Sequence, residues 1–333
     1  HRLIATGKGE SMMRIDLNET AKVLEGSDDI LLLCHSHPDG DTLGSASALA
    51  RALIAEGKRV RVECGDKIPK DFAFMFDGME SFDFEPKFIA AIDIADTKLL
   101  GRDFEGKYAD RVDLCIDHHG SNMLYADKVW LEPDSASTAE MIYLLLAARG
   151  DEITPDIASC LFTGVTTDTG CFRFSNTTVR TYEIAAKLAE LGADTYNIIQ
   201  VFFETKTKTY AALERLALDS MRMYFSDRCA LICITQDMYK RSGSDESETD
   251  RIANLPRQIE GVLVGVTMRE LKDGSYKASV RTHGEIDASS ICKRLGGGGH
   301  MGAAGCTLYG SKQQAINSLL KEVQAELDSV TID

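Results

Sequence analysis

The apolar run Ile30-Leu31-Leu32-Leu33-Cys34 passes directly into His35-Ser36-His37-Pro38-Asp39-Gly40-Asp41 and then into Thr42-Leu43-Gly44-Ser45-Ala46. A short apolar run, a polar loop and a helix-compatible segment in that order read as buried strand, loop and helix. Parallel α/β sheets open the carboxyl ends of their strands to the ligand crevice, so His35, His37, Asp39 and Asp41 are predicted to stand there. Two imidazoles and two carboxylates in seven residues suit a divalent metal. Acids also cap helix N-termini, but capping accounts for neither the second acid nor the histidines.

The alternation continues along the chain. Strands are predicted at 30–34, 59–64, 88–94, 111–117 and 128–131, with helices near 43–57, 137–149 and 178–192. Ser137-Thr138-Ala139-Glu140 has the form of a capping box opening the second of these helices. Residues 157–170 are apolar and end at Thr166-Thr167-Asp168-Thr169-Gly170. This pattern predicts an α/β domain with a mostly parallel sheet. Residues 196–220 carry charge but no proline or glycine, and read as a helical linker. A second, smaller α/β unit follows. Its strands are predicted at 229–234, 261–268 and 276–282, its polar surface loop at 241–250 and its closing helix near 311–328. The implied domains are 14–195, the linker 196–220, and 221–330.

The histidines are grouped. His35 and His37 share the heptapeptide, His118 and His119 follow Asp117, and His300 ends the run Gly296-Gly297-Gly298-Gly299; only His1 and His283 stand apart. Asp39, Asp93, Asp117 and Asp168 read as four acids at strand ends. Two divalent ions about 3.5–4 Å apart need a bridging carboxylate with further carboxylates and imidazoles, and make bound water nucleophilic near neutral pH. No GxGxxG follows the first strand and no GxxxxGK[ST] occurs, so neither nucleotide-binding fingerprint is present.

The formal net charge of −15 argues against a protein that coats duplex DNA. A small anionic substrate held by local cations remains compatible with it. Nine cysteines without a CxxC motif predict reduced thiols and a cytoplasmic location. Cys229 and Cys233 are expected in a core. Residues 1–15 lack an apolar leader segment and no stretch is long and apolar enough to span a membrane, so no membrane association is expected.

These motifs together resemble the DHH phosphoesterase superfamily. His35-x-His37-Pro38-Asp39-Gly40-Asp41, Asp93, Asp117-His118-His119 and Thr167-Asp168-Thr169-Gly170 look like its four motifs, with Phe172-Arg173-Phe174-Ser175-Asn176-Thr177 continuing the fourth. Gly296 to Gly305 resembles the signature of the DHH-associated second domain. The resemblance runs from about Asp28 to about Leu308 and is greatest to the nanoRNase and adenosine 3′,5′-bisphosphate (pAp) phosphatase branch. It implies an active site in a cleft between two domains and two divalent ions, manganese by family habit. It implies that His35 and Asp39 hold one ion, that Asp93 bridges, and that Asp41, His118 and Asp168 complete the second site. His119 would bind phosphate or donate a proton. Asp117 would orient the His118 imidazole or bind metal itself, and His37 would stand behind the ligands. Arg281, Gly297, Gly298, Gly299 and His300 would bind substrate. A homodimer is compatible with the resemblance.

The implied activity is a manganese-dependent exonuclease-type oligoribonuclease and pAp phosphatase acting on short RNA such as pApA. Cyclic-di-AMP phosphodiesterase is the nearest alternative. A family II inorganic pyrophosphatase shares the first four motifs, but its second domain has a basic Ser-Arg-Lys-rich segment where this chain has Gly-Gly-Gly-Gly-His. A long-substrate exonuclease of the RecJ kind would need further nucleic-acid-binding domains. A catalytically silent nucleotide-binding module would be expected to lack ligands that this chain retains.

Overall fold

The computed structural model describes residues 12–249 and 251–330; His1, the polar segment around it and Asp250 lie outside them. The chain divides between Thr205 and Lys206 into two compact units.

The first unit is built on β1 (Met13–Arg14), β2 (Ile30–Cys34), β3 (Val60–Cys64), β4 (Phe88–Ile92), β5 (Leu114–Asp117) and β6 (Lys128–Leu131), in sheet order β1-β6-β5-β4-β2-β3. Every pairing is parallel. Parallel sheets are covered on both faces, and the strand residues alternate accordingly. Ile30, Leu32, Ala90, Ile92, Leu114 and Ile116 enter one core with the long helices. Leu31, Leu33, Ile89, Ala91, Cys115 and Val129 enter another on the opposite face. The helices are α1 (Leu17–Glu25), α2 (Gly40–Ala55), α3 (Arg102–Tyr108), α4 (Thr138–Arg149), α5 (Pro155–Asp168), α6 (Val179–Glu190) and the short α7 (Thr195–Ile199).

Three predicted spans need correction. Asp93 and Ile94 lie outside β4, because Asp93 turns into the left-handed region (φ 63°). Residues 111–113 precede β5, whose first residue is Leu114. Asp168 is not at a strand end: the apolar stretch before it is α5, and Asp168 is its last residue. Thr154 caps that helix and Pro155 opens it, a start signal that settles helix over strand.

Helices α2 and α5 touch backbone to side chain through small residues. A Cβ at Gly44 would stand 2.3 Å from the Cys160 carbonyl oxygen, and one at Gly164 would stand 2.6 Å from Ala139 Cβ and 2.9 Å from Asp41 Oδ1. These approaches bring the last turn of α5 beside the first turn of α2.

The second unit holds α8 (Lys208–Asp219), β7 (Arg222–Tyr224), β8 (Cys229–Ile234), α9 (Gln236–Ser242), β9 (Val264–Glu270), β10 (Tyr276–Thr282), α10 (Ala288–Arg294), β11 (Gly298–His300), β12 (Ala303–Leu308) and α11 (Lys312–Ser329). Its sheet order is β11-β12-β10-β9-β8-β7; only β8 and β9 pair parallel. One sheet face packs on α10 and α11, burying Cys229 and Cys233. The predicted 196–220 helix is interrupted, because Thr207 is extended and caps α8. Tyr210, Leu213 and Ala217 of α8 then pack against Ile232 and Ile234 of the second sheet. The loop at 241–248 is organised by Glu248, which accepts hydrogen bonds from Ser244, Thr207 and Thr209. No helix among the described residues is long and apolar enough to cross a membrane.

The α2–α5 contact generates a prediction. Gly164→Ala should lower unfolding free energy by about 1–3 kcal/mol through overpacking and weaken divalent metal binding, since the added methyl meets Asp41. Urea unfolding and metal titration check both; unchanged values would mean that the contact is not tight.

Candidate metal centre

The carboxyl ends of β2, β4 and β5 lie side by side, with β3 and β4 on opposite sides of β2. Such a switch point leaves a crevice beyond the strand ends. His35 leaves β2, Asp39 caps α2 and Asp41 lies in its first turn. Asp93 follows β4, and Asp117, His118 and His119 end and follow β5. The last turn of α5 brings Asp168 from the helical layer.

Asp93 stands between the imidazoles. Its Oδ2 is 3.8 Å from His35 Nε2 and its Oδ1 is 3.7 Å from His118 Nε2. His35 Nε2 is also 3.6 Å from Asp39 Oδ1. His118 Nε2 lies 3.9 Å from Asp41 Oδ2 and 3.4 Å from Asp168 Oδ2. Three groups of potential ligand atoms result among the described residues, His35-Asp39-Asp93, Asp41-His118-Asp168 and Asp93-His118-His119, each within 4.8 Å. The positive φ of Asp93 is tolerated by aspartate better than by most residues.

Hydrogen bonds orient these side chains. His35 Nδ1 meets the Ser36 carbonyl at 2.9 Å, and His118 Nδ1 meets that of Ser135 at 3.0 Å. A carbonyl can only accept, so each Nδ1 donates and each neutral ring presents the Nε2 lone pair. His118 Nε2 is buried and has no hydrogen-bond partner. An orphaned imidazole nitrogen facing carboxylates fits a cation, so the residues present suit a divalent metal. Asp41 accepts from the N–H groups of Thr138 (2.7 Å) and Ala139 (2.8 Å), and Thr138 Oγ1 donates to Asp93 Oδ1 (2.8 Å).

Asp117 is hydrogen-bonded to His119, not to His118 as the first of its two expected roles required. Its Oδ1 accepts from His119 Nδ1 at 2.7 Å and Oδ2 accepts from Asn122 at 2.6 Å. It therefore orients His119, while His118 is held by a backbone carbonyl. His37 is not brought behind the ligands. Its side chain is 93% exposed, its Nδ1 is 3.4 Å from Asp66 and its N–H also donates there. His283 is exposed, with Nε2 at 3.1 Å from the Arg257 carbonyl. Ser137 caps α4, but Glu140 does not close the capping box; its carboxylate turns to Ser135, Ala136 and Arg180. Thr138, Ser135, Asn122 and Glu140 were not expected at the site. Only the Ser137–Glu140 cap signal pointed at this turn.

In the second unit Arg281 pairs with Ala303, and Ala303 with His300, across β10, β12 and β11. Directly paired residues share a sheet face, so Arg281 and His300 lie on one face, two strands or about 10 Å apart. The glycine run is partly strand. A Cβ at Gly297 would stand 2.2 Å from the Gly305 carbonyl oxygen, and one at Gly299 (φ +148°) 2.5 Å from Ala304 Cα. Close packing on β12 therefore requires these two glycines, whatever they do for a ligand.

The buried charges shift one another. Burial and the nearby Asp39 push Asp93 up to about 6; burial and Asp41 push Asp168 up to about 7. Burial, with Asp93, holds Asp41 well above the carboxylate range. Burial works against a His35 cation, but Asp39 and neighbouring acceptors outweigh it and raise His35 to about 9. The hydrogen bond to Asp117 raises His119 to about 9.

The DHH family, N-terminal domain, matches residues 29–165, and the DHHA1 domain matches residues 232–329. The bifunctional oligoribonuclease and PAP phosphatase NrnA of Thermus thermophilus is 33% identical, over 93% of this chain and 93% of that protein. The chain belongs to the DHH family. The protein of the same name from Bacillus subtilis is 24% identical over 87% of this chain and 93% of its own. A crystal structure of an exopolyphosphatase-related protein from Bacteroides fragilis shares the fold, with TM-score 0.84 and 24% identity over 93% of this chain and 95% of that one. Within this DHH chain the expected α/β architecture and second α/β domain are both observed.

Asp93, Asp168, His35 and His119 all have folded values above their ordinary ones, so the folded, metal-free site binds more protons than the unfolded chain. Stability should then fall as pH rises from about 6 to about 9. Because a dication displaces the protons held at Asp93, Asp168 and His35, added Mn2+ should raise the melting temperature more at the alkaline end. Melting curves of chelator-treated protein across this range check it; a metal-free stability that rises with pH would contradict it.

Proposed function

We propose that this chain is a manganese-dependent phosphoesterase that hydrolyses short oligoribonucleotides and pAp to mononucleotides. The observation carrying the metal chemistry is Asp93, whose two oxygens face the ligand nitrogens of His35 and His118. One ion is assigned to His35, Asp39 and Asp93, the other to Asp41, His118, Asp168 and the same Asp93. The substrate class is supported by relatives named as bifunctional oligoribonuclease and PAP phosphatase that match nearly end to end. Held by these residues, a pair of divalent ions would supply Lewis acidity for water activation and for offsetting phosphoryl charge. Nine unpaired thiols support a reducing, cytoplasmic setting, and the net charge of −15 supports small anions held locally over duplex DNA.

The chain's own groups supply the rest. His119 keeps its Nδ1 proton on Asp117, and with its value raised to about 9 it also holds a proton at Nε2 near neutral pH. That N–H can stabilise a phosphoryl oxygen or protonate the departing one. Asn122 keeps Asp117 turned toward it. Arg281 and His300 share a sheet face, and are assigned to substrate binding. A guanidinium there suits bidentate contact with a second phosphate.

Asp93→Ala should drop bound Mn2+ from about two toward zero per chain, because one carboxylate serves both ions. His119→Ala should keep the metal and lose roughly a hundredfold or more in kcat. Metal analysis beside steady-state kinetics tests the pair; full loading of Asp93→Ala, or an unchanged kcat in His119→Ala, would remove that residue from its role.

Substrate choice is decided by a turnover panel of pAp, pApA, cyclic-di-AMP, pyrophosphate and ribonucleotides from dimer to twenty-mer, with Mn2+. The expected order puts pAp and di- to tetraribonucleotides far ahead of long RNA. Salt dependence should be shallow, on the order of one to three counterions. Arg281→Ala should raise KM for the short substrates and keep the metal. Preference for pyrophosphate, or equal kcat/KM on dimer and twenty-mer with a steep salt slope, would overturn the assignment.

A further inference from the structure

The turn entering α4 makes a directed contact with ligands drawn from three separate strand ends. The Ser135 carbonyl accepts from His118, the Thr138 and Ala139 N–H groups donate to the two oxygens of Asp41, and the Thr138 hydroxyl donates to Asp93. The position of residues 135–139 therefore sets three ligands at once. His35 and Asp39 receive no such contact from this turn; they are oriented locally by Ser36 and by the start of α2.

Something must hold the turn. Ser137 already caps α4, so Glu140 is not needed for that. Glu140 is fully buried, and its Oε2 lies 3.2 Å from Ser135 Oγ and 3.3 Å from the Ala136 N–H. Arg180, near the start of α6, reaches the same oxygen with Nη2 at 3.2 Å and Nε at 3.3 Å. From the other side, Asn176 Nδ2 donates to the Ala136 carbonyl at 2.9 Å and to the Asp168 carbonyl at 3.2 Å. An ion pair with only one partner buried is poor evidence of added stability. One that grips the backbone behind three ligands is better explained by the geometry it imposes, as outer partners impose geometry on metal ligands generally.

We infer that Glu140, held by Arg180, is a positioning residue that sets the turn at 135–139 and through it the ion site formed by Asp41, His118 and Asp168. The inference rests on the two-ion reading above. It reaches residues that touch neither ion nor substrate, and it separates the two sites, since only one is gripped by this turn apart from the shared Asp93.

The test is Mn2+ titration of the full chain, followed by electron paramagnetic resonance of free Mn2+, for wild type, Glu140→Ala, Glu140→Gln and Arg180→Ala. Wild type should bind two ions. Glu140→Ala and Arg180→Ala should each weaken one of the two by about 10–100-fold and leave the other within a few-fold. Glu140→Gln keeps an oxygen acceptor for Ser135 and Ala136 and should recover most of the loss. Excess Mn2+ should restore kcat in the weakened variants. Arg180→Ala decides the matter if Glu140→Ala does not fold, because the Arg180 side chain is 42% exposed and its removal opens no sealed core. Folded variants that bind both ions with wild-type affinity, or lose both equally, would overturn the role of Glu140 alone. A wild type that does not bind two Mn2+ would overturn the two-ion reading and this inference with it.

Discussion

Five carboxylates and three imidazoles crowd the ends of three adjacent strands, and that concentration of charge is the constraint the first unit is built around. Asp41, Asp93 and Asp117 are buried, and a buried carboxylate persists only with donors or counter-charges around it. Each receives them. Asp41 has two backbone N–H groups, Asp93 has a threonine hydroxyl and the imidazoles of His35, His118 and His119, and Asp117 has His119 and Asn122. The compensation is incomplete, as the raised values of Asp93 and Asp168 record. A site that holds surplus protons when empty exchanges them readily for a dication.

Bringing that charge together depends on apolar packing elsewhere. The parallel sheet, buried on both faces, aligns β2, β4 and β5 so that their C-terminal residues meet. Asp168 comes from a different layer, and only the close passage of α5 against α2 places it opposite His118. That passage requires glycine at 44 and 164, where any side chain would strike a carbonyl oxygen or Asp41 itself. Packing density and ligand geometry are thus one problem in this unit.

Much of this was legible in the sequence. Five consecutive apolar residues at 30–34 followed by His-x-His-Pro-Asp-Gly-Asp read as a short core strand emptying into a polar crevice, and β2 and α2 are found there. Clustering of histidines drew attention to 118 and 119. Asp168 is less legible: residues 157–165 are mostly apolar, and such a stretch does not by itself distinguish strand from buried helix, so the expected strand end is in fact the last turn of α5. His37 shares a motif with true neighbours of the cluster, yet its left-handed backbone, φ 55°, sends the side chain to Asp66. Motif membership says nothing of side-chain direction.

The sequence by itself determined the strand–helix alternation of the first unit, its parallel sheet and the set of residue types able to hold a cation, because hydrophobic periodicity and local motif spacing are properties of neighbouring residues. The tertiary structure alone decided the partnerships: Asp117 with His119 and not His118, Ser135 behind His118, Thr138 on Asp93, Glu140 under the turn. Those contacts join residues from 2 to 45 positions apart, and the longer ones exist only because separate strands and helices pack to within hydrogen-bond reach. Directional bonds of about 3 Å depend on where backbones stop, and backbones stop where their side chains close-pack, which no local pattern records.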